Sequence, residues 1–183
     1  MSKTFKRIQV APNFYLDEFV DPHTYFYELD NGFSLVDDRL FDVAQLLRDY
    51  HGKGIRINSW WRLYEKLKLE KTTSQIVIEI ENNNSVSKWS GIRTARTSIG
   101  SSRSAHKTIH TGEGLAIDPK SDSKAFFKIV KDNAEEFYNL GLRRLEDISI
   151  TPTWLHMDLL ERNTKPDSIR VVDRTKMTET ITW

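Results

Sequence analysis

The order of helix-like and strand-like segments constrains the fold of this chain more than any other feature of its sequence. Apolar residues recur at intervals of three and four over residues 36–50, which predicts a helix capped by Ser34 and ended by Gly52. A second helix is predicted over residues 123–140, with Gly141 as its terminator. Both helices carry one apolar face and must therefore pack against other elements.

Strand-like patterns lie between and after the two predicted helices. Residues 55–59 alternate apolar and polar side chains, and residues 75–81, 115–118 and 154–159 are further strand candidates. This order of helix, three strands, helix and strand lacks the regular alternation of a parallel α/β fold. We therefore expect an α+β fold, with a small antiparallel sheet flanked by helices.

The chain length of 183 residues fits one domain with a substantial core. We expect residues 1–162 to form this domain. Residues 163–183 are mostly polar, with one strand-like patch at 169–172, and we expect them to form a C-terminal tail or an edge strand. Residues 82–104 are rich in Asn, Ser, Gly and Arg, which predicts a long loop.

Composition excludes several classes of function. The chain has no cysteine and five histidines, so disulfide scaffolds, cysteine-ligated zinc modules, iron–sulfur sites and thiol nucleophiles are excluded. A formal net charge of +1 argues against nucleic-acid and acidic-membrane partners. No apolar run has the length of a signal peptide or a membrane span, so we expect a protein made in the cytoplasm. Any metal must be held by histidine and carboxylate.

Two segments concentrate the histidines and carboxylates that can perform chemistry, residues 104–118 and 152–159. In the second segment, period-2 alternation places His156 and Asp158 on one face of a strand. In the first, a histidine before a Gly-rich turn can fold back beside Asp118. If the two segments pair, one histidine from each can converge with Asp118 on one ion. A His, Asp, His set with an open fourth position is typical of catalytic zinc.

The motifs in these segments resemble a known family of peptidases. S-x-H at residues 104–106, G-x-A-x-D at 114–118 and W-x-H-x-D at 154–158 resemble the zinc D-alanyl-D-alanine carboxypeptidases and L-alanyl-D-glutamate endopeptidases. Residues 13–19 and 57–62 are similar to the family's F-x-L-x-E-F and I-N-S-G-Y-R elements. The resemblance implies a lysostaphin/hedgehog-type metallopeptidase fold.

The same resemblance implies roles for individual residues. The zinc ligands would be His106, Asp118 and His156. Arg62 would steady the substrate carbonyl or its developing oxyanion, and Ser104 would line the substrate site. The reaction would be hydrolysis of a peptide bond in the peptidoglycan stem peptide, by carboxypeptidase or endopeptidase action, with zinc-activated water as the nucleophile.

The first motif departs from the family in its spacing. Asp118 lies twelve positions after His106 and eight after His110, and both intervals are longer than the usual one. Either residues are inserted behind His106, which keeps the S-x-H context, or His110 has taken over the ligand role. His106 is the preferred ligand and His110 the alternative.

The second departure concerns the general base. Many family members place Asp or Glu three residues before the last histidine, but this chain has Thr153 there. A threonine hydroxyl cannot take a proton from water near neutral pH. The first candidate to replace it is Asp158, on the same strand face as His156. The other candidates are Glu113, Glu146 and Asp147.

Two hypotheses of function follow from these patterns. The first is a zinc metallopeptidase that degrades the bacterial cell wall in association with a phage, as an endolysin or a virion-carried enzyme does. The second is a non-catalytic phage structural or binding protein that keeps the peptidase fold. The first predicts a peptidoglycan peptide as the partner. Both hypotheses allow the protein to be released by lysis, and both allow a virion or tail component as its partner. Neither hypothesis involves nucleic acid or a membrane.

Overall fold

The computed structural model of the chain describes residues 5–28, 36–93, 104–107, 114–161, 165–173 and 176–183. Over these residues the helices are α1 (Leu16–Phe19), α2 (Pro22–Tyr27), α3 (Arg39–His51), α4 (Trp61–Leu67), α5 (Thr73–Asn82), α6 (Ser123–Asp132) and α7 (Ala134–Asn139). The strands are β1 (Gln9–Ala11), β2 (Phe14–Tyr15), β3 (Ala116–Ile117), β4 (Arg144–Glu146), β5 (Met157–Asp158), β6 (Ser168–Asp173) and β7 (Lys176–Thr182). The predicted α+β class is confirmed.

The described residues pack as two compact units. Those of the first lie within Met1–Val36 and Ile57–Gly114, and those of the second lie within Asp37–Arg56 and Leu115–Trp183. In the first unit, β1 and β2 form an antiparallel pair, and α5 packs against α2 and α4. Its core is aromatic, with the ring of the fully buried Trp60 edge-to-face against two rings of α2. Large buried rings of this kind contribute much of the apolar area that stabilises a small core.

The second unit is built on a five-stranded sheet with the order β3-β5-β4-β6-β7. The pair β4 and β6 is parallel, and the other three pairs are antiparallel. α7 packs against β6 and β7, and α6 packs against α3 and α7. Fully buried side chains such as Phe126, Phe137, Leu145 and Met157 form the core. Strand β5 therefore lies inside the sheet, with β3 and β4 on its two sides.

Both predicted helices are present, with changes at their ends. α3 covers Arg39–His51 and ends at Gly52, whose φ of 68° is the left-handed conformation that glycine adopts readily. The predicted cap Ser34 lies outside the described residues. The predicted helix over residues 123–140 is interrupted at Asn133, where the backbone leaves the helical region with φ −127° and ψ 35°.

The strand predicted over residues 75–81 is wrong, because this segment forms α5. Thr72 and Gln75 form a capping box, in which each side chain bonds the backbone N–H of the other residue. Ile76 and Ile80, one helical turn apart, are buried. The segment also alternates apolar and polar residues, so the capping signal was the feature that distinguished a helix from a strand.

The other strand predictions have mixed outcomes. The segments predicted at residues 115–118 and 154–159 contain β3 and β5, but residues 55–59 contribute only an isolated bridge between Arg56 and Lys120. The patch at 169–172 lies in β6, which is an inner strand, and β7 is at the sheet edge. A domain boundary at residue 162 stays a prediction. Among the described helices, none combines the length and apolarity needed to cross a bilayer.

Candidate metal centre

The pairing of β3, β5 and β4 brings the second motif beside the first. Asp158 is the register partner of Ala116 on one side and of Arg144 on the other. Asp118 follows β3 directly, and His156 precedes β5 directly. Because antiparallel neighbours lie only about 4.8 Å apart, this register places Asp118 and Arg144 within reach of the side chains at the start of β5.

The imidazole of His156 lies between two carboxylates. Its Nδ1 is 2.8 Å from Oδ1 of Asp118, and its Nε2 is 3.0 Å from Oδ2 of Asp158. The His156 residue is 8% exposed, whereas Asp118 is partly exposed. The predicted placement of His156 and Asp158 on one strand face is consistent with this contact.

Asp158 is completely buried and accepts hydrogen bonds at both oxygens. Nε of Arg144 donates to Oδ2 over 2.6 Å, and Nη2 of the same guanidinium lies 2.5 Å from that oxygen. The backbone N–H of Leu160 donates to Oδ1 over 3.0 Å. A carboxylate removed from water needs such partners, because an unpaired buried charge is strongly destabilising.

These contacts shift the pKa of both buried groups. Burial alone would lower the pKa of His156, but hydrogen bonds and charge attraction from Asp118 and Asp158 outweigh burial and raise it to about 10. Burial alone would raise the pKa of Asp158, but His156 and Arg144 outweigh it and lower the pKa below its ordinary value. His156 is therefore an imidazolium at neutral pH in the metal-free protein, with a proton on each nitrogen.

His106 is held by its own segment and by Gly91. Its Nδ1 is 3.0 Å from the carbonyl oxygen of Gly91, and its backbone carbonyl accepts from the N–H of Arg93 over 2.8 Å. Ser104 accepts a bond from the backbone N–H of His106 at 3.3 Å. A carbonyl oxygen can only accept, so Nδ1 carries the hydrogen and the lone pair of the neutral ring is at Nε2.

Gly91 is required at its position by close backbone packing. A Cβ added there would lie 2.2 Å from the carbonyl oxygen of Phe19. We expect Gly91→Ala to lower the free energy of unfolding by about 1–3 kcal/mol, because neither backbone can move without breaking its hydrogen bonds. Urea unfolding measures this loss, with Gly54→Ala as the control, since a Cβ at Gly54 meets nothing within 4 Å. Equal stability of the two variants would contradict the prediction.

Three residues of the two motifs form a group that could hold a metal ion. His106, Asp118 and His156 can each offer one ligand atom, and Asp118 and His156 are in direct contact in the second unit. Two imidazoles and one carboxylate form a donor set that zinc accepts. The residues therefore fit a divalent ion of this kind.

The remaining predicted site residues have different surroundings. Arg62 is exposed at the second position of α4, and Ser104 is partly exposed. Thr153 is exposed in the turn before His156. His110 and Glu113 lie outside the described residues. The roles assigned to these residues, and to Asp158 as general base, stay predictions.

The other two base candidates are described. Glu146 is partly buried on β4, where its backbone N–H donates to the carbonyl of His156 over 3.1 Å. Asp147 accepts from the backbone N–H of Ser149 and from the hydroxyl of Thr178, and the bonds from Ser149 are the main cause that lowers its pKa. The carboxylate of Asp147 is therefore bonded to the turn after β4 and to β7, whereas the bond described for Glu146 is made by its backbone.

Sequence reasoning missed Arg144 and Lys120. Arg144, Leu145 and Glu146 alternate polar, buried apolar and polar side chains. This weak strand signal could have placed Arg144 on a polar face. Lys120 is partly buried beside Asp118, and burial is the main cause that lowers its pKa. Nothing in the sequence indicates the partners of these two cations.

Comparison of the chain with protein-family models, with curated proteins and with solved structures finds no match. The assignment of a function to the His, Asp, His group therefore depends on the chemistry of the group and on the motif resemblance.

Proposed function

We propose that the protein is a zinc-dependent hydrolase that cleaves a peptide bond in the peptidoglycan stem peptide, as a carboxypeptidase or an endopeptidase. The observation that carries the proposal is the group formed by His106, Asp118 and His156. The motifs that contain these residues are the ones that resemble the peptidase family. Zinc held there would acidify water and polarise a carbonyl group.

The protein's own residues supply two further functions in this proposal. Arg62, exposed and cationic, would bind the substrate carbonyl or carboxylate. Lys120 adds a positive charge beside Asp118, which favours an anionic substrate group near the ligands. Stem peptides end in a carboxylate, so a partly buried cation near the metal ligands suits such a substrate. Association with a phage stays a prediction.

A second candidate function is a non-catalytic phage structural or binding protein that keeps a metal in this fold. Two observations favour it. Position 153 carries a threonine and not a carboxylate, and both oxygens of Asp158 already accept hydrogen bonds from protein donors. Such a protein would bind metal and muropeptides without cleaving them.

Digestion of purified muropeptides separates the two functions. We expect zinc-loaded protein to shorten muropeptides, and we expect the activity to disappear after chelation and to return with zinc. Asp118→Ala should be inactive because it removes a proposed ligand, whereas Asp132→Ala should cleave normally, since Asp132 is an exposed carboxylate paired with Lys128. Product masses identify the bond that is cleaved. Zinc-loaded protein that leaves every muropeptide intact would contradict the hydrolase and favour the non-catalytic protein.

A further inference from the structure

A chain of hydrogen bonds runs from Arg144 to Asp118 through the start of β5. Arg144 donates to Oδ2 of Asp158 over 2.6 Å, the same oxygen is 3.0 Å from Nε2 of His156, and Nδ1 of His156 is 2.8 Å from Asp118. One nitrogen of His156 thus faces a buried carboxylate, and the other faces a predicted metal ligand. The two nitrogens have different environments and therefore different uses.

We propose that Asp158 is a positioning residue, which holds the Nε2–H of His156 and presents Nδ1 of that ring as the metal-binding atom. Arg144 in turn holds the carboxylate of Asp158. This inference rests on the metal-binding part of the proposed function, and it assigns a role to Asp158 other than proton transfer to water.

The surroundings of Asp158 suit a residue that positions the ring of His156 better than one that exchanges protons with water. Its residue exposure is 0%, and its two oxygens accept from Arg144, His156 and Leu160. A group that removes a proton from water must reach that water, directly or through one intervening molecule. Asp158 is instead enclosed by protein donors, as are carboxylates that orient histidine ligands in metal sites.

The backbone around Asp158 makes the arrangement rigid. Its carbonyl oxygen accepts from the N–H of Arg143 over 3.0 Å, and the residue pairs with strands on both sides. The Nε and Nη2 atoms of Arg144 both lie close to the same oxygen. A ring held by a carboxylate that is itself held in this way cannot easily rotate by 180° to exchange its nitrogens.

The nitrogen that binds metal can be identified directly. We expect protein labelled with 15N-histidine and loaded with 113Cd²⁺ to show one-bond coupling between cadmium and Nδ1 of His156, while Nε2 of that ring stays protonated. Loss of one set of ring signals in His156→Ala assigns them. Coupling through Nε2, or a ring that binds no cadmium, would overturn the proposal.

A variant tests the contribution of Asp158 to zinc affinity. Asp158→Asn keeps the size of the side chain and removes its charge, and we expect the zinc dissociation constant to rise about 10- to 100-fold, as for other carboxylates that orient histidine ligands. Asp132→Asn is the matched control, because it makes the same change at an exposed carboxylate of the same unit that pairs with Lys128, and its zinc affinity should not change. Folded Asp158→Asn with unchanged zinc affinity would contradict the proposal. If Asp158→Asn does not fold, the cadmium experiment on the unmodified chain decides.

The outcomes distinguish this inference from the proposed function. Coupling through Nδ1 without cleavage of muropeptides supports the positioning role and contradicts the hydrolase. Cleavage with coupling through Nε2 supports the hydrolase and contradicts the positioning role. A chain that binds no divalent metal contradicts both.

Discussion

His156→Ala is expected to lower zinc affinity by more than about 100-fold, which exceeds the usual effect of changing a residue that only orients a ligand. The substitution removes one of three donors, and it also removes the imidazole between Asp118 and Asp158. Zinc content after gel filtration, and competition with a chromophoric chelator, measure the loss.

The control for this prediction is His23→Ala. His23 is a partly exposed histidine whose Nδ1 lies 3.8 Å from Glu28, and it is not one of the three grouped ligands. It should keep zinc at the level of the unmodified protein. If His156→Ala instead retains one zinc per chain with unchanged affinity, the ion has other ligands.

The same titration addresses the choice between two histidines in the first motif. If His106 is the ligand, His106→Ala loses zinc as His156→Ala does, and His110→Ala keeps it. The buried position of His106 and the contact of its Nδ1 with the carbonyl of Gly91 favour this outcome, because a ring that donates from Nδ1 carries its lone pair on Nε2. The reverse result would assign the ligand role to His110.

The second motif could be predicted well from its sequence because its structure is local. Alternation along one short strand decides which side chains share a face, so the proximity of His156 and Asp158 follows from their spacing alone. Asp118 could be placed near them only on the assumption that the two segments pair. The register Ala116 to Asp158 is consistent with that assumption.

The incorrect prediction at residues 75–81 has a physical origin. Their apolar residues satisfy both a period of two and a helical face, and β-branched residues favour strands on propensity. The structure contains α5 because Thr72 and Gln75 cap its first turn and because one side of the segment packs in the core. Strand propensity is a weak guide where the helix caps and the tertiary packing both favour a helix.

The contacts that support the site could not be predicted, because they depend on long-range register. Arg144 meets Asp158 only because β4 pairs with β5, and these residues are 14 positions apart in the chain. Gly91 meets His106 across 15 positions, through a close approach to Phe19 that no local pattern indicates. Such contacts follow from the packing of whole elements and not from any single motif.

The stability of the metal-free protein is expected to fall steeply with rising pH above about pH 7. Interactions with Asp118 and Asp158 raise the pKa of His156 to about 10 in the folded protein, against 6.5 for the ordinary group. Between these values the folded chain holds a proton that the unfolded chain has released. The free energy of unfolding should therefore decrease by about 1.4 kcal/mol per pH unit in this interval and be unaffected by His156 below it.

Urea unfolding in the presence of a chelator, at pH 6, 7.5 and 9, measures this slope. His156→Ala is the comparison, because it removes the titrating ring and should give a flatter profile, although its stability at pH 6 should be lower. Asp158 does not produce a slope of this sign, since its pKa is lowered and its carboxylate stays ionised throughout the interval. Parallel profiles for the two proteins would show that His156 is not held as an imidazolium between the two carboxylates. A steep profile for the unmodified chain alone would show that a proton stabilises the metal-free site, and metal must then displace that proton from His156 in order to bind.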